Sequence, residues 1–219
     1  MNLEPLLLTL KLASITTIIL FFISIPISYW LAFSKFKYKY FLEAIINTPL
    51  ILPPSVLGFY LLLAFSSDGF IGKFLKNTFD INLLFDFKGL IIGSLIFSLP
   101  FMVQNIQAGF KNLPSSLREA SYSLGKSEFE TLIKVLLPNI KPSILSGIVL
   151  TFAHTIGEFG VVLMIGGNIE GKTKVISIAI YNEVETLNYT NAHYYSIILL
   201  IFSISVLSLV YFLNNKKEY

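Results

Sequence analysis

The chain has 219 residues, of which 54% are hydrophobic, 15% aromatic and only 13% charged, where an average soluble domain carries about 25% charge. Five stretches are long and apolar enough to cross a bilayer core of about 30 Å, and the pieces between them, a dozen to about thirty residues each, leave no room for a separate catalytic domain of ordinary size. The formal charge is only +3, and the lack of any Cys excludes a disulfide framework, a thiolate metal site and a thiol nucleophile.

The first apolar stretch runs from about Leu6 to Phe33. Its start carries Glu4 and no base, it is too long for a signal-peptide core, and Ser34-Lys35 is no small-residue cleavage site, so it reads as a retained helix. The other spans are roughly 48–65, 89–110, 144–165 and 194–213. Tyr29-Trp30, Tyr194-Tyr195 and Tyr211 suit headgroup level. Ten bases fall on one side of this arrangement: Lys35, Lys37, Lys39, Lys111, Arg118, Lys126, Lys134, Lys141, Lys216 and Lys217. Six fall on the other, together with seven acids that include Asp86 and Glu170. The bias makes the richer side cytoplasmic, with an external amino terminus and a cytoplasmic carboxyl terminus. Residues 1–219 therefore read as one all-α polytopic membrane domain.

The longest cytoplasmic segment, 111–141, parses into two short helices. Ser116-Leu117-Arg118-Glu119 forms one capping box behind Pro114, with Leu117, Ala120 and Leu124 on one face until Gly125 ends the helix. Ser127-Glu128-Phe129-Glu130 forms another, with Phe129, Leu132, Ile133 and Leu136 sharing a face until Pro138. An ordered, partly apolar hairpin must pack against its own spans or against a partner protein.

Within this hairpin, Glu119-Ala120-Ser121, three residues, Gly125, nine residues, Val135, one residue, then Leu137-Pro138 resembles the E-A-A, x3, G, x9, I-x-L-P loop of ABC importer permeases. The similarity extends to Pro49–Gly58, Ser98–Val103, Gly157–Gly160 and Gly167–Thr173, which look like the molybdate permease group, relatives of the tungstate and sulfate permeases. It departs at His154-Thr155, where Arg-Ser is expected, and at Val161-Val162, where Ala-Thr is usual; both bear on which oxyanion is carried. The resemblance implies a type I permease fold in a bacterial inner membrane, with two copies enclosing the path and surrounding lipid. It further implies two cytoplasmic ABC ATPase subunits that hold ATP-Mg, and an external oxyanion-binding protein. Arg118, Glu119, Ala120, Ser121, Gly125, Leu137 and Pro138 become the ATPase-coupling residues. The chain itself is then no enzyme, binds no cofactor or metal directly, and has no nucleic-acid partner.

Gly166 to Thr173 fits G-x-x-x-x-G-K-T, the pattern of a phosphate-cradling loop. The apolar run before it belongs to a span, only 46 residues follow Thr173, and the loop lies on the external face. A tight turn returning the chain to the membrane is the preferred reading, ahead of an anion-receiving mouth built from backbone N–H groups beside Lys172 and Lys174.

Ionisable groups at membrane depth usually face a bundle interior. Gly147, Thr151, His154 and Glu158, spaced by four, three and four, form one helical face. A dianion is repelled by a carboxylate in low dielectric, so Glu158 reads as a gating or structural residue paired with His154. An oxyanion path needs neutral donors, and Ser55, Ser98, Gln104, Asn105, Thr151 and Thr155 are the candidates, with Ser94 beside them. Interhelical packing is the better reading of any single one of these. Pro53-Pro54 and Pro100 are expected to break or kink their helices. The competing class is an ion-gradient-driven transporter or channel with His154 and Glu158 as its proton site; an intramembrane enzyme would need more paired acids or His clusters.

Overall fold

The computed structural model describes residues 2–215, with side chains to Phe212; the predicted cytoplasmic Lys216 and Lys217 lie outside the described residues. In chain order the helices are α1 (Glu4–Phe33), α2 (Lys39–Asn47), α3 (Pro54–Phe65), α4 (Phe70–Phe79), α5 (Phe87–Lys111), α6 (Ser115–Ser123), α7 (Glu128–Thr131), α8 (Leu137–Asn139), α9 (Lys141–Gly157), α10 (Gly160–Gly166), α11 (Ile176–Glu185) and α12 (Tyr189–Asn215). A short 3-10 turn (Thr48–Leu50) follows α2, and a π-helical turn (Leu132–Leu136) joins α7 to α8. No strand occurs among the described residues.

Among the described residues three helices, α1, α5 and α12, are long and apolar enough to span a membrane alone; counting each of two bent pairs as one span gives five. This differs from the expected straight spans at 48–65 and 144–165. In the first pair α2 and α3 meet at 106°. The cause is Leu52-Pro53-Pro54: a residue before proline is driven out of the α region, Pro53 is extended (ψ 134°), and α3 restarts with Pro54 at its first position. The expected fourth span is interrupted at Glu158, which is extended (φ −67°, ψ 135°) between α9 and α10. Glu158 therefore does not continue the helical face of Gly147, Thr151 and His154. Helix α5, by contrast, runs unbroken through Pro100, and α1 through Pro26.

Helix α1 is apolar all round, as a membrane helix should be. It buries a stripe of mostly small residues, Thr9, Ala13, Thr16, Leu20, Ser24, Ser28 and Leu31, spaced by three or four. Without a hydrophobic drive between helices in lipid, such a stripe lets backbones approach and gain dispersion contacts. Asp86 caps α5 by accepting from the Lys88 N–H at 3.0 Å. That bond, and then the Lys172 ammonium 3.0 Å away, hold the Asp86 carboxyl below its usual range. Acting above the ordinary carboxylate pKa, this contribution is lost as pH falls through the depressed value.

Two apolar cores lie along the bundle. One joins α1, α3, α5, α10 and α11 through Leu12, Phe65, Leu90, Val161, Ile165 and Ile178. The other joins α1 and α5 to the hairpin through Leu20, Met102, Ile106, Phe110, Leu136 and Ile140. Polar side chains collect where the two meet.

Candidate functional site: a coupling hairpin and a polar pocket

The hairpin forms, with its caps rearranged. Helix α6 starts at Ser115 behind Pro114 and has no side-chain cap, so the expected Ser116 capping box is not made. Ser127 does cap α7, accepting from the Glu130 N–H at 3.2 Å. Glu130 turns away to Lys134 (2.7 Å) and Lys126 (3.6 Å); these ammoniums hold its carboxyl below the usual range. Gly125 ends α6 in the left-handed region (φ 75°). The Lys126 N–H bonds to Ser121 O and the Gly125 N–H to Tyr122 O, the two bonds of a Schellman motif. Pro138 does not stop the second arm, which stays helical to Asn139 and turns by 76° into α9.

Ser121 Oγ and Thr131 Oγ1, both buried, lie 2.8 Å apart and tie the arms together. Arg118 folds inward, its guanidinium 4.5 Å from the Phe33 ring centroid. Leu137 packs into the second core, while Glu119, Ala120, Gly125 and Pro138 are exposed. The expected apolar faces are divided: Leu132 and Leu136 turn inward, whereas Leu124 (80%), Phe129 (72%) and Ile133 are exposed, with Tyr122 beside them. The π-helical turn shifts the register of the second arm, a feature that propensity does not announce. Sequence periodicity places Leu124 and Phe129 on the apolar faces of the two arms but leaves open whether those faces pack on the spans or on a partner; in the structure both residues point outward.

Between the cores an open pocket of about 610 Å³ is lined by Pro54, Ser55, Phe97, His154, Glu158 and Gly160, among others. Glycine makes this junction possible: a Cβ on Gly160 would sit 2.7 Å from Pro54 Cβ, and one on Gly58 2.9 Å from Met164 Cβ. The His154 ring lies between Phe97 and Phe101, with centroids 4.8 and 4.0 Å away. Its Nδ1 is 3.1 Å from Ser98 Oγ, which is 3.0 Å from Thr155 Oγ1. Thr155 donates to Thr151 O at 2.9 Å. With that proton committed, Ser98 donates to Thr155 and His154 Nδ1 donates to Ser98, which assigns the ring's tautomer.

Glu158 is buried and does not pair with His154. Its Oε2 accepts from Ser94 Oγ at 3.1 Å, its carbonyl accepts from Ser177 Oγ, and its Oε1 has no partner. The extended backbone at 158 swings the carboxylate off the His154 face. Of the predicted path residues, Ser55 lines the pocket, and Ser98 and Thr155 stand behind it. Gln104 instead bonds to Asn47 (2.8 Å), Asn105 to Phe101 O (2.7 Å), and Thr151 is buried with its hydroxyl unpartnered. Sequence reasoning passed over Ser177; nothing in its local pattern distinguishes it.

The loop 166–173 is a closed turn. The N–H groups of Lys172, Thr173 and Lys174 all bond to Ile169 O, and Thr173 Oγ1 donates to Gly166 O at 2.7 Å while accepting from the Ile169 N–H at 3.2 Å. The N–H groups of Gly167, Ile169, Lys172 and Thr173 are thus engaged within the turn and at the end of α10. Thr173→Val would leave Gly166 O without its donor and the Ile169 N–H without its acceptor, at about 1–3 kcal/mol per buried group. Thermal unfolding in detergent should show a lowered Tm.

Among the described residues no group of three or more His, Asp or Glu is placed to hold a metal ion. An internally bonded hairpin thus stands at one end of a bundle that contains a polar, broken-helix pocket. Residues 24–217 match the family of binding-protein-dependent transport system inner membrane components, and the chain belongs to that family. It is a transport permease and not an enzyme.

It is 40% identical over 204 residues, 93% of this chain and 90% of the relative, to the molybdenum transport system permease protein ModB of Azotobacter vinelandii. A probable sulfate transport system permease protein cysT of Chlorella vulgaris is 32% identical over 204 residues, 93% of this chain and 76% of that protein. The fold is shared with a chain of the MetNI methionine ABC transporter, solved in inward-facing conformations, at a TM-score of 0.74 and 17% identity, covering 95% of this chain and 92% of the other.

Proposed function

We propose that this chain is the permease subunit of an ABC importer that moves molybdate, or a similar tetrahedral oxyanion such as tungstate or sulfate, into the cytoplasm by alternating access. Two copies enclose the path, the hairpin docks two cytoplasmic ATPase subunits that carry ATP-Mg, and an external binding protein delivers the substrate. The amino terminus is external and the carboxyl terminus cytoplasmic. The observation that carries this reading is the hairpin: internally bonded, yet presenting Leu124, Phe129 and Ile133 to a partner. The likeness to molybdenum permeases supports the substrate class. So does the pocket, whose hydroxyls and broken-helix backbone suit an anion that must bind and leave.

ATP shifts the conformational equilibrium only through the partner's differential grip on the hairpin. Closure of the ATPases would draw the hairpins together, tilt the attached spans and open the path outward; release of phosphate reverses this. Glu158 is a gating or structural residue in this scheme. Glu158→Gln keeps an oxygen for Ser94 and removes the charge, so ATP-driven uptake should stay within a few-fold of the parent and be indifferent to a proton ionophore. Abolition of uptake by this neutral isostere, together with sensitivity to the ionophore, would favour a proton-coupled carrier.

A further inference from the structure

We propose that α1 is a rod that carries the displacement of the hairpin across the membrane, and that Tyr29 and Phe33 are the positioning residues that fasten it there; this rests on the hairpin being the ATPase-docking element. The two residues sit one turn apart at the carboxyl end of α1, so they share a face. Each grips a different arm. Tyr29 Oη donates to Glu128 Oε1 of the second arm at 2.8 Å, and the Phe33 ring lies beneath the Arg118 guanidinium of the first arm. Since Ser121 and Thr131 tie the arms together, the hairpin moves as one body and takes α1 with it.

At its opposite end α1 is fastened again. Thr9 Oγ1 accepts from the Ile176 N–H at 2.8 Å at the start of α11, Lys11 lies 5.0 Å from the Phe87 ring centroid, and Tyr195 Oη donates to Asn2 O. A continuous helix of 30 residues is about 45 Å long, enough to join the two faces of the membrane. Between these grips the buried hydroxyls of Thr16, Thr17 and Ser24 have no partner, and Ser28 Oγ donates to Val103 O (3.0 Å) across α1 and α5. Apart from the Tyr29 and Phe33 rings meeting Phe110 of α5 at 5.7 and 5.9 Å, the contact with α5 is mainly apolar packing of small residues. Of the hairpin's two covalent exits, one joins α5 through residues 112–114, and the other, into α9, passes a π-helical turn and a 76° bend. The clamp at Tyr29 gives hairpin motion a straight route to α11.

The test uses the complete transporter, with its ATPase and binding protein, in proteoliposomes. Tyr29→Phe keeps the ring and removes one bond to a charged acceptor, which should lower molybdate imported per ATP hydrolysed about tenfold, with ATPase capture in a pull-down unchanged. Glu128→Ala should match it, the double variant should be no worse than either single one, and Glu128→Gln, whose amide oxygen still accepts, should retain the parental ratio. The chain has no Cys, so a nitroxide placed on Leu7→Cys before the complex is assembled reports the far end of α1 without background from this chain. Vanadate trapping should change the label-to-label distance in the parent and not in Tyr29→Phe. Parental import per ATP and a parental distance change in Tyr29→Phe overturn the proposal, as does loss of ATPase capture. A parental complex that hydrolyses ATP and imports no molybdate overturns the substrate reading alone, and the spin-label distances still decide on the rod.

Discussion

Gly125→Asp is expected to abolish capture of the ATPase subunit while leaving the permease folded. Gly125 is the left-handed residue that closes α6 (φ 75°), and a Cβ placed on it would meet nothing within 4 Å. The change therefore strains only the backbone of an exposed turn, by about 1–2 kcal/mol, and Asp is among the residues that tolerate this region best. Its carboxylate would project beside Leu124, which is 80% exposed on the face proposed to dock the ATPase. Burying an unpaired carboxylate in an interface costs several kcal/mol, and about 3 kcal/mol already corresponds to a hundredfold weaker complex. A pull-down should lose the ATPase, with parental size-exclusion behaviour and Tm lowered by no more than the few degrees this strain implies. Undiminished capture would remove the hairpin from the docking role. Gly125→Ala, which adds the strain without the charge, should weaken capture far less.

Gly160→Val should damage the pocket itself. The first added carbon would meet Pro54 Cβ at 2.7 Å and the Pro54 carbonyl carbon at 3.3 Å, and neither a proline ring nor backbone can swing aside. Overpacking of this kind costs about 1–3 kcal/mol, and a β-branched side chain has few rotamers with which to escape. At about 2–4 °C per kcal/mol for a chain of this size, Tm in detergent should fall by several degrees. Uptake should be lost, since α3 can no longer close on α10 at the rim of the pocket. Gly157 is the control. It lines the same pocket, yet a Cβ there would meet nothing within 4 Å, so Gly157→Ala should leave Tm unchanged and alter only transport. A parental Tm in Gly160→Val would mean that α3 and α10 are not held at this contact.

What could be read from the residues alone follows the range of the interaction concerned. Spans such as α1 and α5 are legible because apolar length is a property of one segment. The Gly125 stop is legible because its Schellman bonds lie within six residues. The Gly166–Thr173 pattern was read as a turn from context, and the hydrogen bonds onto Ile169 O make that turn. The break at Glu158 was not legible, since no proline marks it; Ser94 from α5 and Ser177 from α11 hold the carboxylate and carbonyl of that residue, both long-range partners. The same limit applies to Arg118. Its place in the coupling pattern gives no sign that its side chain lies on Phe33, 85 residues earlier in the chain. Gln104 and Asn105 looked like path donors because amides can serve an anion, but Asn47 and a backbone carbonyl take them.

The central claim, that this permease imports an oxyanion by borrowing an ATPase through its hairpin, is tested most directly by radiolabelled uptake in proteoliposomes holding the permease, the ATPase and the binding protein. The expected result is molybdate accumulation that requires ATP and all three proteins, persists with a proton ionophore present, is competed by tungstate and sulfate, and disappears with Gly125→Asp. Accumulation without ATP, driven by an imposed ion gradient and indifferent to Gly125→Asp, would contradict it.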